Sequence, residues 1–144
     1  FRSKQNFFAY QGVDIFKPNL KEVRDALNIS IDVVDKEQMY KVHQLLQEKL
    51  DHRISFITLS EKGVFYQDGE VASLIPTHVR SIADVSGAGD TVIATASVVY
   101  ALTRDASLMA CIANIAGGLV CEEVGTVSIN RDRLLQECKI AMNK

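Results

Sequence analysis

Asp84-Val85-Ser86-Gly87-Ala88-Gly89-Asp90 runs without a break into an apolar stretch, Thr91 to Leu102. Two glycines around an alanine let a backbone turn tightly and come close to a ligand, so several N–H groups converge on one anion. A helix starting there adds the positive end of its dipole. Such a nest suits the charge that spreads over phosphoryl oxygens during transfer. Asp90, in the first helical turn, is placed to take a proton from a substrate hydroxyl, and position supplies much of the gain from a weak base. A glycine pair ahead of a helix also occurs at plain helix starts, so the rest of the chain has to supply the context.

That context is an alternation of strands and helices, the pattern of a layered α/β fold. Val13 to Phe16 is a short apolar run closed by Lys17-Pro18, and Leu20 to Asn28 follows as a short helix. Asp35 to Leu50 carries Met39, Val42, Leu46 and Leu50 on one helical face, with Asp35 as N-cap. Ile54 to Leu59 is a continuous β-rich run that predicts a buried strand. Val64–Gln67 and Val71–Ile75 flank Asp68-Gly69, a hairpin signal. Thr91–Leu102, Ala106–Cys121 and Arg131–Met142 predict three closing helices, the last two capped by Asp105 and Asn130.

Composition narrows the function classes. The 144 residues are 47% apolar with a net charge of -2, enough for one domain with a core and no electrostatic pull toward nucleic acid or an anionic membrane. The longest apolar stretches, Val92–Leu102 and Ala110–Cys121, fall well short of the ~20 residues of a membrane span. Cys111, Cys121 and Cys138 lack metal-ligand spacing and read as free thiols in a reducing, cytoplasmic compartment. His43, His52 and His78 show no metal spacing either and are expected in surface or capping roles.

Asn19 and Glu22 share a helix face just after Lys17-Pro18. Their oxygens suit a hydrated Mg²⁺ held against phosphates. The same spacing is also close to a capping box, with Asn19 as N-cap and Glu22 at N3. Lys17 is either a phosphate contact or a solvated charge at a strand end.

The heptapeptide resembles the signature of the ribokinase (PfkB) family, whose usual form is Asp-Thr-x-Gly-Ala-Gly-Asp; Val85 stands here for the common Thr. The resemblance makes Asp90 the catalytic base and Gly87, Ala88 and Gly89 the anion hole. It adds an Asn-x-x-Glu motif linked to Mg²⁺ and phosphate, matched by Asn19 and Glu22. Thr58-Leu59-Ser60-Glu61-Lys62-Gly63 resembles the family segment along the nucleotide, with Ser60 replacing a usual Gly, so Thr58, Ser60 and Gly63 are expected beside it. Ala113 to Gly118 resembles the helix bordering the adenine, which brings in Asn114, Gly117 and Gly118; a neighbouring helix would explain the two glycines equally well. Val124-Gly125-Thr126 resembles the turn that binds a monovalent cation such as K⁺ through backbone oxygens, with Asp84, Ser86 and Gly125 as contributors.

The resemblance runs from Phe16 to Leu135 and implies a three-layer α/β/α ribokinase-like fold. Within the family the likeness is to heptose 7-phosphate kinases of ADP-heptose synthesis, a step toward lipopolysaccharide, through Phe16–Val23, Asp84–Ala94 and Val124–Ser128. The alternatives are a PfkB kinase for another sugar or nucleoside, or a nucleotide-binding module without catalysis. No His-x-Gly-His motif of a nucleotidyltransferase occurs. The opening Phe1-Arg2-Ser3-Lys4 has neither Met nor a signal pattern, and neither the sugar-gripping glycine pair nor the lid of the family is found. Residues 1–144 therefore read as the C-terminal, nucleotide-binding and catalytic portion of such a kinase. The expected ligands and partners are ATP, Mg²⁺, a sugar phosphate, the N-terminal half of the kinase and a second copy in a homodimer.

Overall fold

The computed structural model describes residues 4–76, 88–121 and 128–143. The chain divides into two compact units, Phe1–Leu74 and Ile75–Lys144.

The first unit is built on strands β1 (Ile15–Phe16), β2 (Ile54–Thr58), β3 (Val64–Asp68) and β4 (Val71–Ile75), in the order β1-β2-β3-β4. β1 runs parallel to β2, with Ile15 opposite Ile54 and Phe16 opposite Ser55. A parallel pair needs a crossover, and helices α1 (Leu20–Leu27) and α2 (Lys36–Leu50) supply it. β2 and β3 are antiparallel. β3 ends one residue later than expected, so the turn is Gly69-Glu70 with Gly69 at φ 61°. A positive-φ glycine at the first central position is the pattern of a type II′ turn, whose twist matches the flanking strands.

Local chemistry sets the helix limits. Asp35 accepts from the Gln38 N–H at 2.8 Å to start α2, and Asn28 and Asp51 close α1 and α2 in left-handed conformations. The expected stripe of Met39, Val42, Leu46 and Leu50 is buried against Phe16, Val23, Ile57 and Phe65. Each such residue contributes about 1.5–3 kcal/mol by leaving water. Phe7, on a 3₁₀ segment (Lys4–Ala9), completes this core edge-on to Phe16 at 5.0 Å.

The histidines correct the sequence reading. His43 and His52, expected in surface or capping roles, are each only 2% exposed. Both ring systems meet the hydroxyl of Ser55, a polar residue inside a fully buried stretch of strand that has to find partners there. His78 lies outside the described residues.

The second unit holds helices α3 (Ala88–Thr103), α4 (Ala106–Cys121) and α5 (Arg131–Met142). α3 begins earlier than its apolar run, so Ala88, Gly89 and Asp90 form its first turn. Arg104, at φ 53°, ends α3, and Asp105 caps α4 by accepting from the Leu108 N–H at 3.0 Å. α3 lies directly on α4: a Cβ at Gly117 would stand 2.6 Å from Val92 Cγ2. Ile115, Leu119 and Cys138, with Ile112, Ile129 and Leu134 around them, join α4 to α5. Cys111, Cys121 and Cys138 are free thiols.

Candidate functional site

In the first unit the candidate residues gather where β1 and β2 end. The Thr58 N–H donates to the Pro18 carbonyl at 3.1 Å, and Asn19 and Thr58 form a parallel bridge three residues beyond the end of β1. In open α/β sheets the carboxyl ends of parallel strands are where ligands bind. Lys17, Asn19, Glu22 and the Thr58–Gly63 segment are thus local neighbours, which spacing alone did not show for Thr58.

Asn19 and Glu22 form the full capping box. Asn19 Oδ1 accepts from the Glu22 N–H at 2.8 Å, and Glu22 Oε2 accepts from the Asn19 N–H at 2.8 Å. This fixes both side chains at the first turn of α1 with their oxygens ordered. A carboxylate has two oxygens and roughly four lone-pair sites, so capping and a bond from a metal-bound water are compatible. Lys17 is 8% exposed, which goes against the solvated-charge alternative of its two readings.

Beyond Thr58 the chain makes a 3₁₀ turn, Ser60–Lys62, closed by the Leu59 N–H on the Gly63 carbonyl at 2.8 Å. Ser60 has φ 55° and Gly63 has φ 96° with ψ -134°. The first is a left-handed conformation that favours glycine, and the serine holds it at a cost of about 1–2 kcal/mol. The backbone path of a glycine is therefore kept where a serine stands. Gly63 occupies a region that side chains avoid, and it is buried.

In the second unit Asp90 is exposed on the first turn of α3, directly after Gly89, which is also exposed. A carboxylate there is favoured by the helix dipole and faces solvent or a ligand. Asn114, half-buried on α4, donates from Nδ2 to the Pro76 carbonyl at 2.8 Å. Gly117 and Gly118 are buried, and Gly117 is where α3 comes close. Asp84, Ser86, Gly87 and Gly125 lie outside the described residues. Among the described residues no group of three or more His, Cys, Asp or Glu could hold a metal ion, and no helix is long and apolar enough to cross a membrane.

Residues 7–133 match the profile of the pfkB family carbohydrate kinases. The chain belongs to that family. The bifunctional protein HldE of Aliarcobacter butzleri is 36% identical over 134 residues, covering 92% of this chain and 27% of that protein. HldE of Syntrophotalea carbinolica is 37% identical over 134 residues, with 91% and 27% covered. The chain thus spans about a quarter of the length of these curated relatives. Among solved structures, phosphofructokinase-2 from Escherichia coli in complex with potassium aligns with a TM-score of 0.81 at 18% identity, over 95% of this chain and 43% of the other. Ribokinase of Arabidopsis thaliana complexed with ribose and ATP aligns with a TM-score of 0.76 at 22% identity, over 85% and 40%. The fold class of this pfkB-family chain is accordingly the ribokinase-like α/β/α class expected from its sequence.

Proposed function

We propose that the chain is the C-terminal, nucleotide-binding and catalytic portion of an ATP-dependent sugar kinase, and that the complete protein phosphorylates a hydroxyl of a heptose 7-phosphate. The observation that carries this reading is Asp90, exposed on the first turn of α3 immediately after Ala88-Gly89. ATP with Mg²⁺ supplies the phosphoryl group and neutralises charge on its oxygens.

In this reading the Asp90 carboxylate accepts the proton of the sugar hydroxyl as that oxygen bonds to the γ-phosphorus of ATP and the bond to the β–γ bridging oxygen breaks, releasing ADP. The backbone N–H groups of Gly87, Ala88 and Gly89 hold the charge that develops on the phosphoryl oxygens. Asn19 and Glu22, ordered by their mutual hydrogen bonds, orient metal-bound water, and Lys17 contributes positive charge from the neighbouring strand end. Thr58, Ser60 and Gly63 border the nucleotide with backbone held in a glycine-like path. Asn114, Gly117 and Gly118 flank the base. Asp84, Ser86 and Gly125 offer oxygens to K⁺.

The heptose phosphate rests on family membership and on the HldE relatives, which the chain matches at 36% and 37% identity. The deciding experiment is a coupled phosphoryl-transfer assay on the complete protein with heptose 7-phosphate, fructose 6-phosphate, ribose and a nucleoside in parallel. Selective turnover of the heptose phosphate is expected. Preference for another acceptor would reassign the substrate, and nucleotide binding without any transfer would leave a binding module.

A further inference from the structure

Ser55 has one hydroxyl proton and two imidazoles against it. His43 Nδ1 lies 2.7 Å from Ser55 Oγ, and His52 Nε2 lies 2.6 Å from the same oxygen. A serine oxygen can donate to one ring and accept from the other, which requires one ring to present a lone pair and the other an N–H. His52 Nδ1 settles the direction. It is buried with no hydrogen-bond partner. A buried N–H without an acceptor is rarer in native proteins than an under-used lone pair. Nδ1 of His52 therefore carries the lone pair, and its Nε2–H donates to Ser55. The Ser55 hydroxyl then donates to Nδ1 of His43, whose own proton sits on Nε2.

We propose that His52, Ser55 and His43 form a one-way hydrogen-bond chain whose buried groups are all satisfied only while both imidazoles are neutral, and that it makes the placement of Thr58–Gly63 acid-sensitive. The chain ties α2 and the loop after it to the second residue of β2, three residues before Thr58. A proton added at His43 Nδ1 sets two donors against Ser55 Oγ and displaces the hydroxyl proton. A proton added at His52 Nδ1 creates a buried donor with no acceptor. Charge on both rings at once is disfavoured, since their centroids are 5.6 Å apart. On β1, the Phe16 ring lies edge-on to His52 at 5.8 Å. The carboxylates that favour a charge are Asp68 on β3, acting on His43, and Asp51 beside His52 in the chain. Burial outweighs them and lowers the pKa of both rings.

The test does not depend on phosphoryl transfer. Imidazole ¹⁵N spectra of the complete protein at about pH 7 should show His43 and His52 both as Nε2–H tautomers. An Nδ1–H tautomer or an imidazolium at either ring overturns the proposal. Amide exchange, corrected for intrinsic rates, should show Thr58 and Leu59 losing protection by at least about tenfold between about pH 7 and pH 5. The variant His43→Asn/His52→Gln keeps an acceptor and a donor near the two ring positions and has nothing to titrate, so its protection should hold over the same range. Equal loss in that variant overturns the acid coupling. Should the variant not fold, the exchange profile and tautomers of the wild-type protein decide the matter.

Discussion

Thr58 and Asn19 stand side by side at the ends of two parallel strands, held there by the Thr58 N–H on the carbonyl of Pro18 at 3.1 Å. That bond connects two motifs lying far apart in sequence, the Asn19–Glu22 pair and the Thr58–Gly63 turn. Glu22→Gln keeps most of the capping box, because glutamine serves at N3, and should cost less than about 1 kcal/mol in thermal stability. It removes the anionic oxygen, so the Mg²⁺ concentration for half-maximal rate of the complete protein should rise. A lowered melting temperature with unchanged Mg²⁺ dependence would leave Glu22 as a cap alone.

Asp90→Asn in the complete protein should lower phosphoryl transfer by at least about 10²-fold with little change in nucleotide affinity, the pattern of a lost general base. Asp90 is exposed on its helix turn, so the substitution removes charge without opening a core. Steady-state rates near wild type would remove Asp90 from the chemistry.

Gly117→Ala tests what the glycine does. Alanine gains about 1 kcal/mol of helix propensity, but its Cβ would meet Val92 Cγ2 at 2.6 Å, and overpacking costs about 1–3 kcal/mol. Net destabilisation is expected in denaturant melts. Adding Val92→Ala should relieve the clash, so that the two effects are clearly non-additive. Additive losses would place the strain elsewhere.

Most of the fold was legible because its signals were local. The stripe on α2, the apolar run of β2 and the caps Asp35, Asp105 and Asn130 all act within a few residues. Of the candidate site, the capping box was readable for the same reason. What escaped was non-local. The adjacency of Asn19 and Thr58 depends on a strand pairing across a crossover. The burial of His43 and His52 depends on Ser55, a polar residue in a buried strand that called for polar partners without saying which. The burial of Lys17 had no local signal, because a charge by itself suggests exposure. Asp90 reads as part of the first turn of α3, and the helix takes in Ala88 and Gly89 as well, since a first turn needs no apolar residue and no N–H partner inside the helix.

Acid should weaken the first unit. The pKa of His52 is lowered from 6.5 to about 4, mainly by burial and secondarily by His43. Below about pH 6.5 the unfolded chain takes up a proton that the folded chain refuses, so stability falls as pH drops from about 6.5 to about 4 and levels off beneath. The loss from this ring is of the order of 2–3 kcal/mol. Urea melts at a series of pH values check it, and a flat profile across that range would contradict the buried neutral ring.

The last expectation concerns residues 1–144 by themselves. Phosphoryl transfer needs hydroxyl, base and phosphate in line and shielded from water. The chain aligns with 43% of phosphofructokinase-2, so more than half of that fold has no counterpart in these residues. Val98 and Leu102 project from α3 one turn apart, 59% and 81% exposed, and Leu135, Ile140 and Met142 are exposed on α5. Exposed apolar surface of this kind favours association. The isolated chain should therefore bind ATP or ADP weakly, show no appreciable sugar phosphate kinase activity and self-associate with rising concentration. Calorimetry, a coupled assay and light scattering on one sample measure all three. Robust turnover of a sugar phosphate by a monomeric 144-residue chain would mean that the acceptor site lies within these residues.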